Sequence, residues 1–196
     1  MKSVAVFCGS SSGNNGEYSG SARILSHIMH EKGIKVITGG GHVGIMGVIA
    51  DEIIGLGGEI TGVIPQFLVD KEVAHKGLTE LIIVDSMHDR KKKIEEISDG
   101  FIALPGGFGT LDEIFEIITW AQLSIHRKPI GILNSGSYYD NLINHIHHMV
   151  REGFVHPGYL DMVIMEPDPE VLIEKMLAYV PKDVDKAGFA LGKDKM

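Results

Sequence analysis

The sequence predicts a single α/β domain, a doubly wound parallel sheet with helices on both faces. Short β-branched runs alternate with amphipathic segments, and strict alternation of that kind means parallel strands joined by covering helices. The 25 glycines sit at the ends of the apolar runs rather than in a low-complexity block, where strand-to-helix turns need them. Neither an internal repeat nor a linker breaks the pattern, so residues 1–180 are expected to form one domain.

Residues 4–7 read as the first strand, followed by a Gly/Ser/Asn loop over 9–16. A helix is expected over 17–31, with Ala22, Leu25, Ile28 and Met29 on its apolar face. Residues 34–37 form a second strand, 45–56 a helix entered through glycines, and 60–64 a third strand ended by Pro65. The stretch 66–80 has no clear period and is expected to be a long loop. Strand 81–84, helix 87–98, strand 101–104 and helix 111–123 follow. Strand 130–133, helix 138–152, a short strand over 163–165 and a helix over 169–179 complete the alternation. Residues 181–196 are polar and glycine-containing, an expected loose tail. In Rossmann-like sheets, ligands bind at the carboxyl ends of the strands near the switch in strand order. The loops after the first, second, fourth and fifth strands are therefore where function is expected.

Composition narrows the partners. A net charge of −8 provides no global positive field for nucleic acid or an anionic membrane, so any phosphate must be held locally. No apolar run reaches the ~18 residues of a membrane-spanning helix. The N-terminus enters a strand-like run without the pattern of a signal peptide. Cys8 is the one cysteine, so nothing calls for an oxidising compartment, and the cytoplasm is expected.

Two glycine loops run from strand into helix, one over 38–47 and one over 105–113. Glycine lets backbone N–H groups approach an anion, and a helix N-terminus adds about half a positive charge. Gly39, Gly41 and Gly44, with Gly40 between them, fit the dinucleotide pattern G-x-G-x-x-G. That pattern also needs an acidic residue at the carboxyl end of the next strand. Glu59 has the spacing but precedes its strand. Tight packing turns are the alternative for either loop.

A basic cluster, Arg90 to Lys93, opens the fourth helix against its dipole and at the ligand edge, which suggests function over a solvated face. Lys92 and Lys93 are assigned to solvent. Glu113 is open to two readings. Thr110-x-x-Glu113 is a capping box, and the same carboxylate is placed for catalysis. Leu111, Ile114, Phe115 and Ile118 are the expected buried stripe of that helix.

The run Pro105-Gly106-Gly107-Phe108-Gly109-Thr110-Leu111-Asp112-Glu113, preceded by Met87-His88-Asp89-Arg90-Lys91, resembles the paired PGGxGTxxE and MHxRK motifs of the LOG (Lonely Guy) family. These are cytokinin riboside 5′-monophosphate phosphoribohydrolases, long described as lysine decarboxylases. The similarity extends over about residues 4–179 and includes 6–11, the 39–47 loop and 118–123. Phe108 and Asp112 stand where tyrosine and glutamate are common, a departure that bears on substrate preference. The resemblance implies a catalytic pair at Arg90 and Glu113. It implies nucleotide binding by Glu72, Arg90, Lys91, Gly107, Phe108, Gly109, Thr110, Leu111, Asp112, Glu113 and Thr119. It also implies a homodimer through the region of Trp120 and a purine nucleoside 5′-monophosphate as substrate, with no cofactor and no metal.

The competing readings are a non-catalytic nucleotide or molybdenum-cofactor carrier and a lysine decarboxylase. A carrier has no use for an Arg–Glu pair, and no lysine sits in a recognisable pyridoxal-phosphate setting. The His145, His147 and His148 group lacks a zinc-ligand pattern, and His147 and His148 fall on the outer side of their helix. Cys8 has no positional partner that would make it a nucleophile, and a buried small residue is expected there.

Overall fold

Each of the seven strands expected from the sequence takes a place in one seven-stranded parallel sheet of order β4-β3-β2-β1-β5-β6-β7. The computed structural model describes residues 1–71 and 74–182. Chain order runs β1 (Ser3–Phe7), α1 (Gly16–Glu31), β2 (Lys35–Thr38), α2 (Gly44–Gly55), β3 (Ile60–Pro65), α3 (Gln66–Val69) and β4 (Glu80–Val84). It continues through α4 (Met87–Ile97), β5 (Gly100–Ala103), α5 (Phe108–Gln122), β6 (Ile130–Leu133), α6 (Asp140–Arg151), β7 (Val163–Glu166) and α7 (Pro169–Leu177). The chain winds outward from β1 to β4, then returns to place β5 on the other flank of β1. That reversal makes the carboxyl ends of β1 and β5 the switch point.

Burial follows the winding. Strands β3, β5 and β6 are buried at every position, whereas the edge strand β4 is largely half-exposed. One face is covered by α1, α2 and α7 through Ala22, Leu25, Met29, Ile49, Ile53, Leu172 and Met176. The other is covered by α4, α5 and α6 around Phe101, Ile94, Ile114, Ile117 and Tyr139.

Three local expectations change. The helix expected from Leu111 starts one turn earlier, at Phe108, because Gly107 takes the extended N-cap conformation. Thr110 is then inside the helix and buried, so the capping box is not formed. The buried stripe shifts as well: Ile114 and Ile117 are buried, while Leu111, Phe115 and Ile118 are half-buried. The helix expected from Tyr138 begins at Asp140, since Gly136 and Ser137 both take left-handed φ values in a preceding 3₁₀ turn. The long 66–80 loop contains the short α3 and an antiparallel bridge between Gly41 and Ala74. Glu72 and all but the first two residues of the expected 181–196 tail lie outside the described residues.

Candidate active site

Ser86 starts α4 by accepting from the Asp89 N–H at 3.1 Å, and its hydroxyl donates to the Asp89 carboxylate at 2.6 Å. That start places Arg90 one turn in, over the end of β3, where Nε donates to the Val63 carbonyl at 3.1 Å. Nη1 lies 2.8 Å from Oε1 of Glu113, on the second turn of α5. Both side chains are only 11% exposed. The third guanidinium nitrogen, Nη2, lies against Gly39, where an added Cβ would come within 2.2 Å of it. A side chain at 39 would have to displace the guanidinium, so the close approach that this glycine permits is to the arginine.

Burial raises the Glu113 carboxyl above the ordinary carboxylate range, and the Arg90 charge pulls the other way. Asp112 adds to the rise, and Lys91 opposes it. Lys91 bridges Asp112 at 2.8 Å and Glu116 at 3.3 Å. Burial works against its charge, but the two carboxylates outweigh burial and hold its pKa above the ordinary value. One pH prediction follows. Lys91→Gln removes a positive charge beside Glu113, which disfavours the carboxylate and raises its pKa further. The acidic limb of a pH–kcat profile is therefore expected to move to higher pH in this variant. A limb that stays in place would show that Glu113 ionisation does not govern turnover.

The two glycine loops differ in where their amides point. In the loop after β2, Gly40 N–H goes to Thr38 Oγ1 at 3.2 Å, Gly41 N–H to Met46 Sδ at 3.1 Å and Ile45 N–H to the Gly9 carbonyl at 3.1 Å. Those three amides are bonded within the protein, while α2, like α5, has no side-chain cap, and Ile45 of its first turn borders the cavity at the switch point. Glu59 is exposed before β3, at the opposite edge of the sheet from this loop, and is not placed to supply the acidic residue of the dinucleotide pattern. In the loop after β5, no side chain caps α5, and its N-terminus faces the switch point. A cavity of about 270 Å³ opens there, lined by Gly9, Ser10, Ser11, Tyr18, Gly107 and Tyr138 among others.

The remaining expected residues divide. Gly107 lines the cavity, while Gly109 and Phe108 sit at the α5 N-terminus, Phe108 being 93% exposed. Leu111 packs half-buried toward the core, and Asp112 is committed to Lys91. Lys92 is 73% exposed, with a 3.9 Å contact to Glu96; Lys93, expected in solvent, is half-buried. Thr119 is not brought to Arg90 and Glu113. Its hydroxyl donates to the Phe115 carbonyl at 2.7 Å, and it lines an apolar groove with Phe115, Ile118, Gln122, Ile146 and Met149. Cys8 is buried, its thiol pushed up by burial first and by the Glu113 charge second, which makes it a poor nucleophile. His145, His147 and His148 are exposed, and among the described residues no group of three or more His, Cys, Asp or Glu is placed to hold a metal. Sequence reasoning missed the Val63 carbonyl and the tyrosine pair Tyr18 and Tyr138. Nothing local in the sequence marks them.

Residues 46–176 match the family described as "Possible lysine decarboxylase". The chain is 43% identical over 191 residues to a probable cytokinin riboside 5′-monophosphate phosphoribohydrolase of Oryza sativa subsp. japonica, covering 97% of this chain and 78% of that one. It is 42% identical over 181 residues to a cytokinin riboside 5′-monophosphate phosphoribohydrolase of Arabidopsis thaliana, covering 92% and 79%. Among solved structures, the molybdenum cofactor binding protein of Rippkaea orientalis superposes with a TM-score of 0.69 at 20% identity, covering 91% of this chain and 96% of that one. At that identity the likeness is one of fold.

Proposed function

The chain belongs to the LOG family of cytokinin riboside 5′-monophosphate phosphoribohydrolases, and from that membership we propose that it hydrolyses the N-glycosidic bond of a purine nucleoside 5′-monophosphate, releasing free base and ribose 5-phosphate. The observation that carries the assignment to particular residues is the buried Arg90–Glu113 pair at the ligand edge of the sheet. Breaking the bond to the base leaves positive charge on the ribose ring, and a carboxylate beside C1′ stabilises that charge. Glu113 supplies it and orients the water whose oxygen adds to C1′. The base departs with the bonding electron pair and takes up one proton, balanced by the one the water gives up on adding to C1′. Arg90 holds Glu113 in place and presents Nη2 toward the Gly39 side of the crevice, the side we assign to the leaving base. The 5′-phosphate sits at the α5 N-terminus, against the amides of Gly107 and Gly109 and beside Thr110.

Lysine decarboxylation does not suit these residues. A Schiff-base lysine needs a lowered pKa, and Lys91 is held in the opposite direction by two carboxylates. The carrier reading shares the fold but has no use for a buried Arg–Glu pair. Incubating the protein with isopentenyladenosine 5′-monophosphate, and separately with AMP, and resolving the products chromatographically tests the choice. Free base with ribose 5-phosphate is expected from at least one. Binding without base release from either would put the carrier reading first.

We further infer a cytoplasmic homodimer closed over the apolar groove around Thr119, with residues 1–180 as the catalytic domain. Phe154, 84% exposed, and Ile125, 61% exposed, add unpaired apolar surface. A second copy would also account for a nucleotide-binding role of Thr119, which one chain alone keeps away from Glu113. Sedimentation equilibrium reads the oligomeric state, and a monomer would overturn this inference.

A further inference from the structure

The segment leaving β5 is held by its carbonyls, each by a different partner. Leu104 C=O accepts from the buried Tyr139 hydroxyl at 2.6 Å, Pro105 C=O from the Gly9 N–H at 3.1 Å, and Gly106 C=O from the Tyr138 hydroxyl at 2.6 Å. The last of these matters most, because the peptide between Gly106 and Gly107 has no side chain on either flank to restrict its rotation. Gly106 cannot be replaced by a residue that would stiffen it. An added Cβ would lie 2.1 Å from Thr110 Oγ1 and 2.8 Å from Gly9 N. Across a trans peptide the C=O and the following N–H point in opposite directions. Holding the Gly106 carbonyl toward Tyr138 therefore fixes the Gly107 N–H away from it.

The turn that precedes Tyr138 is an unfavourable one. Gly136 at φ 55° and Ser137 at φ 57° are both left-handed, and Ser137 adopts this conformation with a side chain. The turn is pinned on both sides: Tyr139 N–H donates to Asn134 Oδ1 at 2.7 Å, Asn134 Nδ2 donates to Asp140 at 2.7 Å, and Asn134 N–H donates to the Glu166 carbonyl at 2.8 Å. Adjacent tyrosines thereby grip alternate carbonyls of one segment. The Tyr138 ring, 41% exposed, meets Tyr18 and Tyr139 edge-on at 5.5 and 4.8 Å and forms a wall of the switch-point cavity.

We propose that Tyr138 is a positioning residue of the phosphate cradle: its hydroxyl locks the Gly106–Gly107 peptide so that an N–H, and not a carbonyl dipole, meets the 5′-phosphate. The proposal rests on the hydrolase reading above and assigns Tyr138 a part in it. Tyr138→Phe removes the hydroxyl and keeps the ring contacts. KM for AMP is expected to rise about fivefold to tenfold, the effect of one lost hydrogen bond, with kcat within about threefold of wild type. Inhibition by inorganic phosphate and by ribose 5-phosphate is expected to weaken by the same factor, which a merely structural tyrosine would not produce. Unchanged KM and unchanged phosphate inhibition would overturn the proposal, whatever happens to thermal stability. Wild-type turnover in the same series separates the two failures. No base release by wild type refutes the function, and base release with an unaltered Tyr138→Phe KM refutes only the role of Tyr138.

Discussion

Glu113→Gln is expected to lower kcat for nucleoside monophosphate hydrolysis by about 10²–10⁴-fold, the range spanned by single acid–base or charge-stabilising groups. The amide keeps the size of the side chain and can still accept from Arg90, but it carries no charge to offset the one that develops on the ribose. Affinity for AMP is expected to stay within a few-fold of wild type, because the proposed phosphate cradle is at the α5 N-terminus, more than a turn before Glu113 on the same helix. The variant should still fold, since Glu113 takes no part in a capping box here, but with Arg90 left without its charged partner it is expected to be less stable than wild type. Turnover within threefold of wild type would remove Glu113 from the chemistry.

Arg90→Met should damage stability as well as rate. The Glu113 side chain is 11% exposed, and without Arg90 it is left without its charged partner, a change that costs about 3 kcal/mol when one member of a buried pair is deleted. In a domain of this size that corresponds to a melting point roughly 6–12 °C lower. The sign of the pH dependence follows from the carboxyl. Burial already raises its pKa and Arg90 pulls it down, so removing Arg90 raises it further. A folded-state pKa raised above the unfolded one contributes stability at low pH that is lost as pH rises. The deficit relative to wild type should therefore be small in acid and grow toward neutral pH. Adding Glu113→Gln to Arg90→Met removes the unpaired charge and should restore much of the stability while leaving the enzyme inactive. An Arg90→Met protein as stable as wild type at neutral pH would show that the pair is not coupled in this way.

The central strands were legible because their β-branched runs are buried on both faces and need no alternation to be recognised. Arg90 and Glu113 were legible as types in motifs, but their contact was not. It joins α4 to α5 across a topology in which β5 returns beside β1, and the carbonyl and glycine that complete the arginine's surroundings, Val63 and Gly39, come from β3 and the end of β2. Spacing alone also could not separate the two glycine loops. Both run from strand into helix and both border the switch-point cavity, through Ile45 in one and Gly106 and Gly107 in the other, and only the structure shows three amides of the first bonded to Thr38, Met46 and Gly9. The capping box failed for a local reason, because Gly107 could take the cap itself. Tyr138 was hidden by Ser137, a residue type that does not announce a left-handed turn. Thr119 is the case where one chain's geometry and the resemblance pull apart, and the proposed dimer is what would reconcile them.

In the proposed reaction a phosphate cradle at α5 and the Arg90–Glu113 pair act on one molecule. Base release from AMP and from adenosine, measured side by side with the purified protein, tests it most directly. Adenine and ribose 5-phosphate from AMP, with adenosine cleaved at least a hundredfold more slowly, is the expected result, because the nucleoside offers nothing for the cradle to hold. Equal cleavage of both, or release of phosphate from AMP with the glycosidic bond intact, would contradict it.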